Sequence, residues 1–193
     1  MVGLLTDLSD GYNLTEDSWA LPLVFRNAIC DKFFVEFLKL SEDGNGKNHA
    51  ILKVDFQRNV HGSYKGARIM MGVDFEPTLF ESDGSRSAYQ PGTLLVKPVK
   101  YQQASNKAVR TCQVSMAPSL SLGHIIGALL QSELQYFYFI AINGQYFGCR
   151  DFVYVLLYLY LGSPACESEA DDDFLAHKLY TYWNKPSASL PIL

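Results

Sequence analysis

A chain of 193 residues that is 48% hydrophobic and 13% aromatic has enough apolar side chain for a single-domain core without disulfides or metal. Its 20 acidic residues outnumber the 16 basic ones, and Lys and Arg are scattered along the chain, which excludes the basic stripe of a nucleic-acid binder. Met1 to Tyr12 has neither a basic n-region nor a signal-length apolar run, so a cytoplasmic location is expected, with Cys30, Cys112, Cys149 and Cys166 as reduced thiols.

In chain order, residues 1–20 form a polar N-terminal segment whose Asp, Gly and Asn favour turns, and Thr6 to Asp17 is expected to pack loosely and carry little function. Residues 21–193 are expected to form one α+β domain. Leu21 to Cys30 and Phe33 to Leu40, rich in Val, Phe and Leu, read as strands, and Gly44-Asn45-Gly46 marks a turn. The alternation in His49 to Phe56 and again in Ala67 to Phe75, across a Gly62 to Gly66 loop, predicts an antiparallel hairpin closed by Pro77. A polar loop, Glu81 to Gln90, leads into a strand at Thr93 to Lys97, for which Ala108 to Met116 is the expected neighbour.

Ser121 supplies helix-start chemistry, and Leu122, Ile125, Ile126, Leu129 and Leu130 share one helical face that should lie on the sheet. Gln135 to Ile142 reads as an aromatic strand ended by Asn143-Gly144. Cys149 to Leu161 is apolar nearly all round, as in a buried central helix; its apolar run is about half the roughly 20 residues needed to span a bilayer, so no membrane partner is expected. A last helix is expected from Ser168 to Pro186, with acids in its first turn and Lys178 and Lys185 late. The fold expected is therefore a mostly antiparallel sheet packed against a buried central helix with flanking helices.

Gly148-Cys149 stands where free amides at a helix N-terminus lower a thiol's pKa and face a developing oxyanion. The competing reading is a small buried hydrophobe. His49, on a rigid strand, is the favoured base, with His177 in reserve. Asp74 on the partner strand is the favoured third member of a triad, ahead of Asp55, although a solvated carboxylate on an exposed sheet face accounts for either. His61 falls in a Gly-rich loop and His124 in the first turn of an amphipathic helix. Asn48, Arg150 and Tyr138 complete the candidate site as substrate contacts, against a carboxylate anchor for Arg150 and core packing for Tyr138. No Cys-x-x-Cys spacing, phosphate loop or dinucleotide fingerprint is present, so neither a metal nor a cofactor is expected.

Asn48-His49, Gly92-Thr93-Leu94-Leu95-Val96 and Gly148-Cys149-Arg150-Asp151-Phe152 resemble, in order and spacing, a family of small uncharacterised fungal domains. That family pairs an Asn-His-Trp strand with a Gly-Cys-Arg helix start; here Ala50 and Phe152 stand where it has Trp. A histidine strand preceding a cysteine helix start is also similar to the circularly permuted papain-like hydrolases and acyltransferases. That resemblance implies Cys149 as nucleophile and His49 as base, acting on an amide, ester or thioester of a small metabolite. Two alternatives stand beside it: a non-catalytic small-molecule-binding or cyclase-like protein of fungal specialised metabolism on the same fold, and a protein-interaction domain.

Overall fold

The alternation that marks His49 to Phe56 as a strand carries on to Val60, because Ala50, Leu52, Val54 and Phe56 all turn to one face and bury there. A computed structural model describes residues 11–38, 49–73, 89–115, 118–142, 145–149, 151–153 and 155–156. Its elements are β1 (Tyr12–Asn13), α1 (Leu23–Arg26), β2 (Cys30–Leu38), β3 (His49–Val60), β4 (Tyr64–Val73), β5 (Tyr89–Val99), β6 (Ala108–Val114), α2 (Leu122–Gln131), β7 (Tyr138–Ile142) and β8 (Gln145–Phe147). The strands form one sheet in the order β6-β2-β3-β4-β5-β7-β8, with β1 on β5, and every pairing is antiparallel. The architecture is α+β, an antiparallel sheet flanked by a few helices.

Two faces result. One carries Phe33, Val35 and Phe37 of β2, Ala50 to Phe56 of β3 in alternation, Ala67, Ile69 and Met71 of β4 and Leu94 and Val96 of β5. It packs against Phe25 of α1, against Leu122, Ile125, Ile126 and Leu129 of α2, and against Phe152, Val153 and Leu156. The helical register read for α2 is therefore its packing register, and Ser121 caps it: its hydroxyl accepts from the His124 amide, while His124 Nδ1 accepts from the Ser121 amide, each at 3.2 Å.

Four expectations give way. Leu21 to Cys30 is not a strand: Leu21, Phe25 and Ala28 are buried while Leu23 and Val24 between them are exposed, a helical spacing hidden by β-prone residue types, and Pro22 starts the turn. β6 pairs with β2 rather than β5, because β5 already holds β4 along one side and β1 and β7 along the other. The opening segment does not pack loosely from Tyr12 onward. Its Leu14 is fully buried and its amide donates to Leu94 O at 2.8 Å, while Thr15 Oγ1 accepts from the Leu94 amide and donates to Gln135 O. Gln90 to Gly92, read as loop, lies inside β5. Asp74, Asn48, Arg150 and the expected last helix with His177 and Cys166 lie outside the described residues.

Pairing β6 with β2 has a consequence for the second face. β5 and β6 run in the same direction, so residues 100–107 must travel across β4, β3 and β2 and back along the strands. The lateral step alone is about 19 Å at ~4.8 Å per strand. The crossing segment covers the sheet, and its backbone needs polar partners beneath it. Those come from charged residues on the second face: Glu36 Oε1 accepts from the Ser105 amide at 2.7 Å, Asp55 Oδ2 from the Gln103 amide at 3.0 Å, and Lys53 Nζ donates to Gln103 O at 2.7 Å. Lys53 is ion-paired with Asp55, and Arg68 approaches Glu36 at 3.7 Å. Two cations and two carboxylates thus hold one strap.

Candidate functional site

Strand alternation separates the two residues on which thiol chemistry depends. Leu38 pairs with His49 and Phe37 with Ala50 without a register shift at that end, so Ala50 enters the core and His49 falls on the opposite face, with Ile51, Lys53 and Asp55. Cys149, half-buried, packs against the core cluster. The sheet therefore stands between the thiol and the imidazole. Burial holds the His49 pKa below its ordinary value, which favours a neutral ring.

Tyr138 shares the face of His49. It pairs with Pro91, which lies on the same side of β5 as Thr93 and Leu95, and it is 52% exposed, so it is not a core residue. By strand count it stands three positions, about 14 Å, from His49. Asp55 is committed to Lys53 and the Gln103 amide. Cys30 is a buried thiol whose pKa burial pushes up to about 12, the mark of an inert core cysteine.

Cys149 keeps the local setting expected of it. The Phe152 amide donates to Gly148 O at 2.9 Å, making Cys149 the first helical residue, and Gly148 takes a φ of +142° that an L side chain rarely adopts. Aromatic rings fix this corner: Phe137 packs edge-on against Phe139 and Phe152 at 5.6 and 6.1 Å between centroids.

A concave feature lies elsewhere. Ser18, Trp19 and Arg26 on one side and Gly123, Ile126, Gly127, Leu130 and Gln131 of α2 on the other enclose a groove of about 460 Å³, a size suited to a small ligand. Trp19 is 78% exposed, a large apolar ring left in solvent beside a groove. Arg26 lies 4.5 Å from its centroid, fixed by Nε donating to Leu21 O at 2.7 Å and Nη2 to Ser18 O at 3.1 Å. Sequence reasoning passed over this site because it set residues 1–20 apart as a polar N-terminal segment; the exposed-aromatic signal exists only once Leu14 and Leu21 anchor the chain on either side.

The two α2 glycines have opposite tasks. A Cβ at Gly123 would lie 2.8 Å from Arg26 O, so α1 approaches α2 only because that side chain is missing, whereas a Cβ at Gly127 meets nothing within 4 Å and points into open groove. Gly127→Ala is expected to raise the unfolding free energy by about 0.5–1 kcal/mol through helix propensity. Gly123→Ala is expected to lower it by about 1–3 kcal/mol through overpacking. Urea denaturation of both variants checks the pair; equal effects would mean that α1 does not rest on α2 as described.

Among the described residues no cluster of His, Cys, Asp and Glu has metal-binding geometry, and no helix is long and apolar enough to cross a membrane. The family described as a domain of unknown function (DUF7770) matches residues 69–192, about two thirds of the chain. The matched stretch contains α2 and Cys149 and leaves out His49, Trp19 and Arg26. No curated protein matches, and no solved structure does.

Proposed function

The chain belongs to the DUF7770 family, and from its geometry we propose that it is a small-molecule-binding protein whose ligand lies in the groove between Trp19 and α2. The observation that carries this reading is an exposed Trp19 held by Arg26 at the mouth of a groove of about 460 Å³. Apolar walls from Ile126 and Leu130 with a few polar groups at the rim are the ordinary make-up of such sites. Gly127→Leu is the direct test. A Cβ at this position meets no protein atom within 4 Å and the longer side chain extends into the groove, so the variant should stay folded and lose the rise in melting temperature that groove ligands give the parent chain. Ligands that stabilise both proteins equally would refute the groove as their site.

A second reading, acyl transfer through a Cys149 thiolate, is favoured by the half-buried position of Cys149 at a helix start behind Gly148. In this reading a group other than His49 serves as base, because His49 falls on the sheet face opposite the core against which Cys149 packs. The expected result is that the rate of Cys149 alkylation against pH, measured with Cys30, Cys112 and Cys166 replaced by Ser, is unchanged by His49→Ala. A thiol pKa that rises on removing His49 would restore the dyad and shift the reading back to covalent chemistry.

A further inference from the structure

We propose that the ligand of this groove is a flat aromatic anion, an aryl carboxylate in the simplest case; the inference rests on the groove being a binding site and adds its ligand class. Arg26 is the reason. Its contacts are two backbone carbonyls, Leu21 O and Ser18 O, and the Trp19 ring, and among the described residues no carboxylate pairs with it. Two of its five N–H groups are thus spent on holding the fork in place, which leaves a pre-oriented cation at the groove mouth. The chain as a whole is acidic, with a net charge of −4, so a fixed cation without a counter-ion among the described residues is a local feature rather than a reflection of composition.

The rest of the groove suits a ring. Trp19 is 78% exposed although Arg26 covers one side of it, so a flat apolar body can stack on the indole. Gly127 leaves the α2 backbone bare on the groove side, and Ile126 and Leu130 supply apolar wall. Ser18 and Gln131 add neutral polar groups at the rim, so the charge recognised is the one facing Arg26.

Isothermal titration of the full chain with 2-naphthoate and with its neutral isostere 2-naphthamide tests this. The acid is expected to bind about ten-fold tighter than the amide, the difference between a charge-assisted and a neutral hydrogen bond, and added salt should narrow the gap. Arg26→Gln should abolish the preference for the acid. Since Arg26 also pins residues 18–21, the salt dependence in the unsubstituted chain stands as the independent measurement. Equal binding of acid and amide in the unsubstituted chain, blocked by Gly127→Leu, overturns the anion class and leaves the groove reading intact. Binding of neither probe, or binding indifferent to Gly127→Leu, removes the groove reading and this inference with it.

Discussion

Asp55→Ala is expected to lower the unfolding free energy by about 3–5 kcal/mol, the cost of leaving a buried charge without its partner. Lys53 is fully buried on the second face, and its ammonium donates to Asp55 and to Gln103 O while lying between the Phe34 and Tyr101 rings at 5.1 and 5.2 Å. Burial is the main cause that holds the Lys53 pKa below its usual value, and the Asp55 bond opposes it. Removing Asp55 lowers that pKa further. A lysine with a depressed folded pKa contributes stability that is present above the unfolded value near 10.5 and lost as pH falls through the folded value, so the deficit of the variant should shrink as pH rises toward 10.5.

The strap makes the pair more than a salt bridge. Replacing both partners, Lys53→Met with Asp55→Ala, removes the stranded charge but leaves the Gln103 amide and carbonyl without their partners, at about 1–3 kcal/mol for each group. The double variant should therefore recover only part of the loss, and amide exchange should speed up at Gln103 before the sheet opens. Urea denaturation with exchange mass spectrometry reads both effects. A loss under about 1 kcal/mol for Asp55→Ala would mean that water reaches Lys53, and that residues 100–107 do not seal this face.

How far this fold could be read from sequence differs by element. β3, β4 and α2 were legible because one face of each is buried and the apolar period survives: Ala50, Leu52, Val54 and Phe56 for the strand, Leu122, Ile125, Ile126 and Leu129 for the helix. The alternation in β3 also fixed, in principle, the separation of His49 from Cys149, since His49 is out of phase with the core set. What alternation does not reveal is which face the cysteine helix takes, and the dyad reading left that face open. β3 hid a second feature: Asp55 reads as a solvated carboxylate on an exposed sheet face, yet it is buried together with Lys53, because burial on that face comes from residues 100–107, distant in sequence. The partner of β6 was illegible for the same reason. Pairing between non-adjacent strands is decided by which edges are already filled, and β1, whose two residues occupy part of the β5 edge, is too short to show any period. Trp19 and Arg26 were missed as a pair because they sit seven positions apart, one in a turn and the other at the end of the short α1, so no single spacing rule spans them.

Gly148→Ala is the second change expected to have a large effect, and it bears on the cysteine directly. Two costs add. A φ of +142° is open to glycine and strained for alanine, worth about 1–3 kcal/mol. The new Cβ would also lie 2.7 Å from Phe137 Cε1 and 3.2 Å from Phe139 Cδ1, in rings already held edge-on to their neighbours, and overpacking of that kind costs about 1–3 kcal/mol more. A total near ~3 kcal/mol is expected in urea denaturation. Phe137→Leu in the same chain separates the two, because it relieves the contact and leaves the backbone strained, so about half of the loss should return. The chemical readout is alkylation of Cys149, which should quicken in Gly148→Ala under conditions where the chain is still folded, since the helix start it occupies is set by the Gly148 carbonyl and the rings behind it. A near-neutral Gly148→Ala with unchanged thiol reactivity would show that the turn relaxes freely, and that Cys149 is not held in the orientation on which any nucleophilic role would depend.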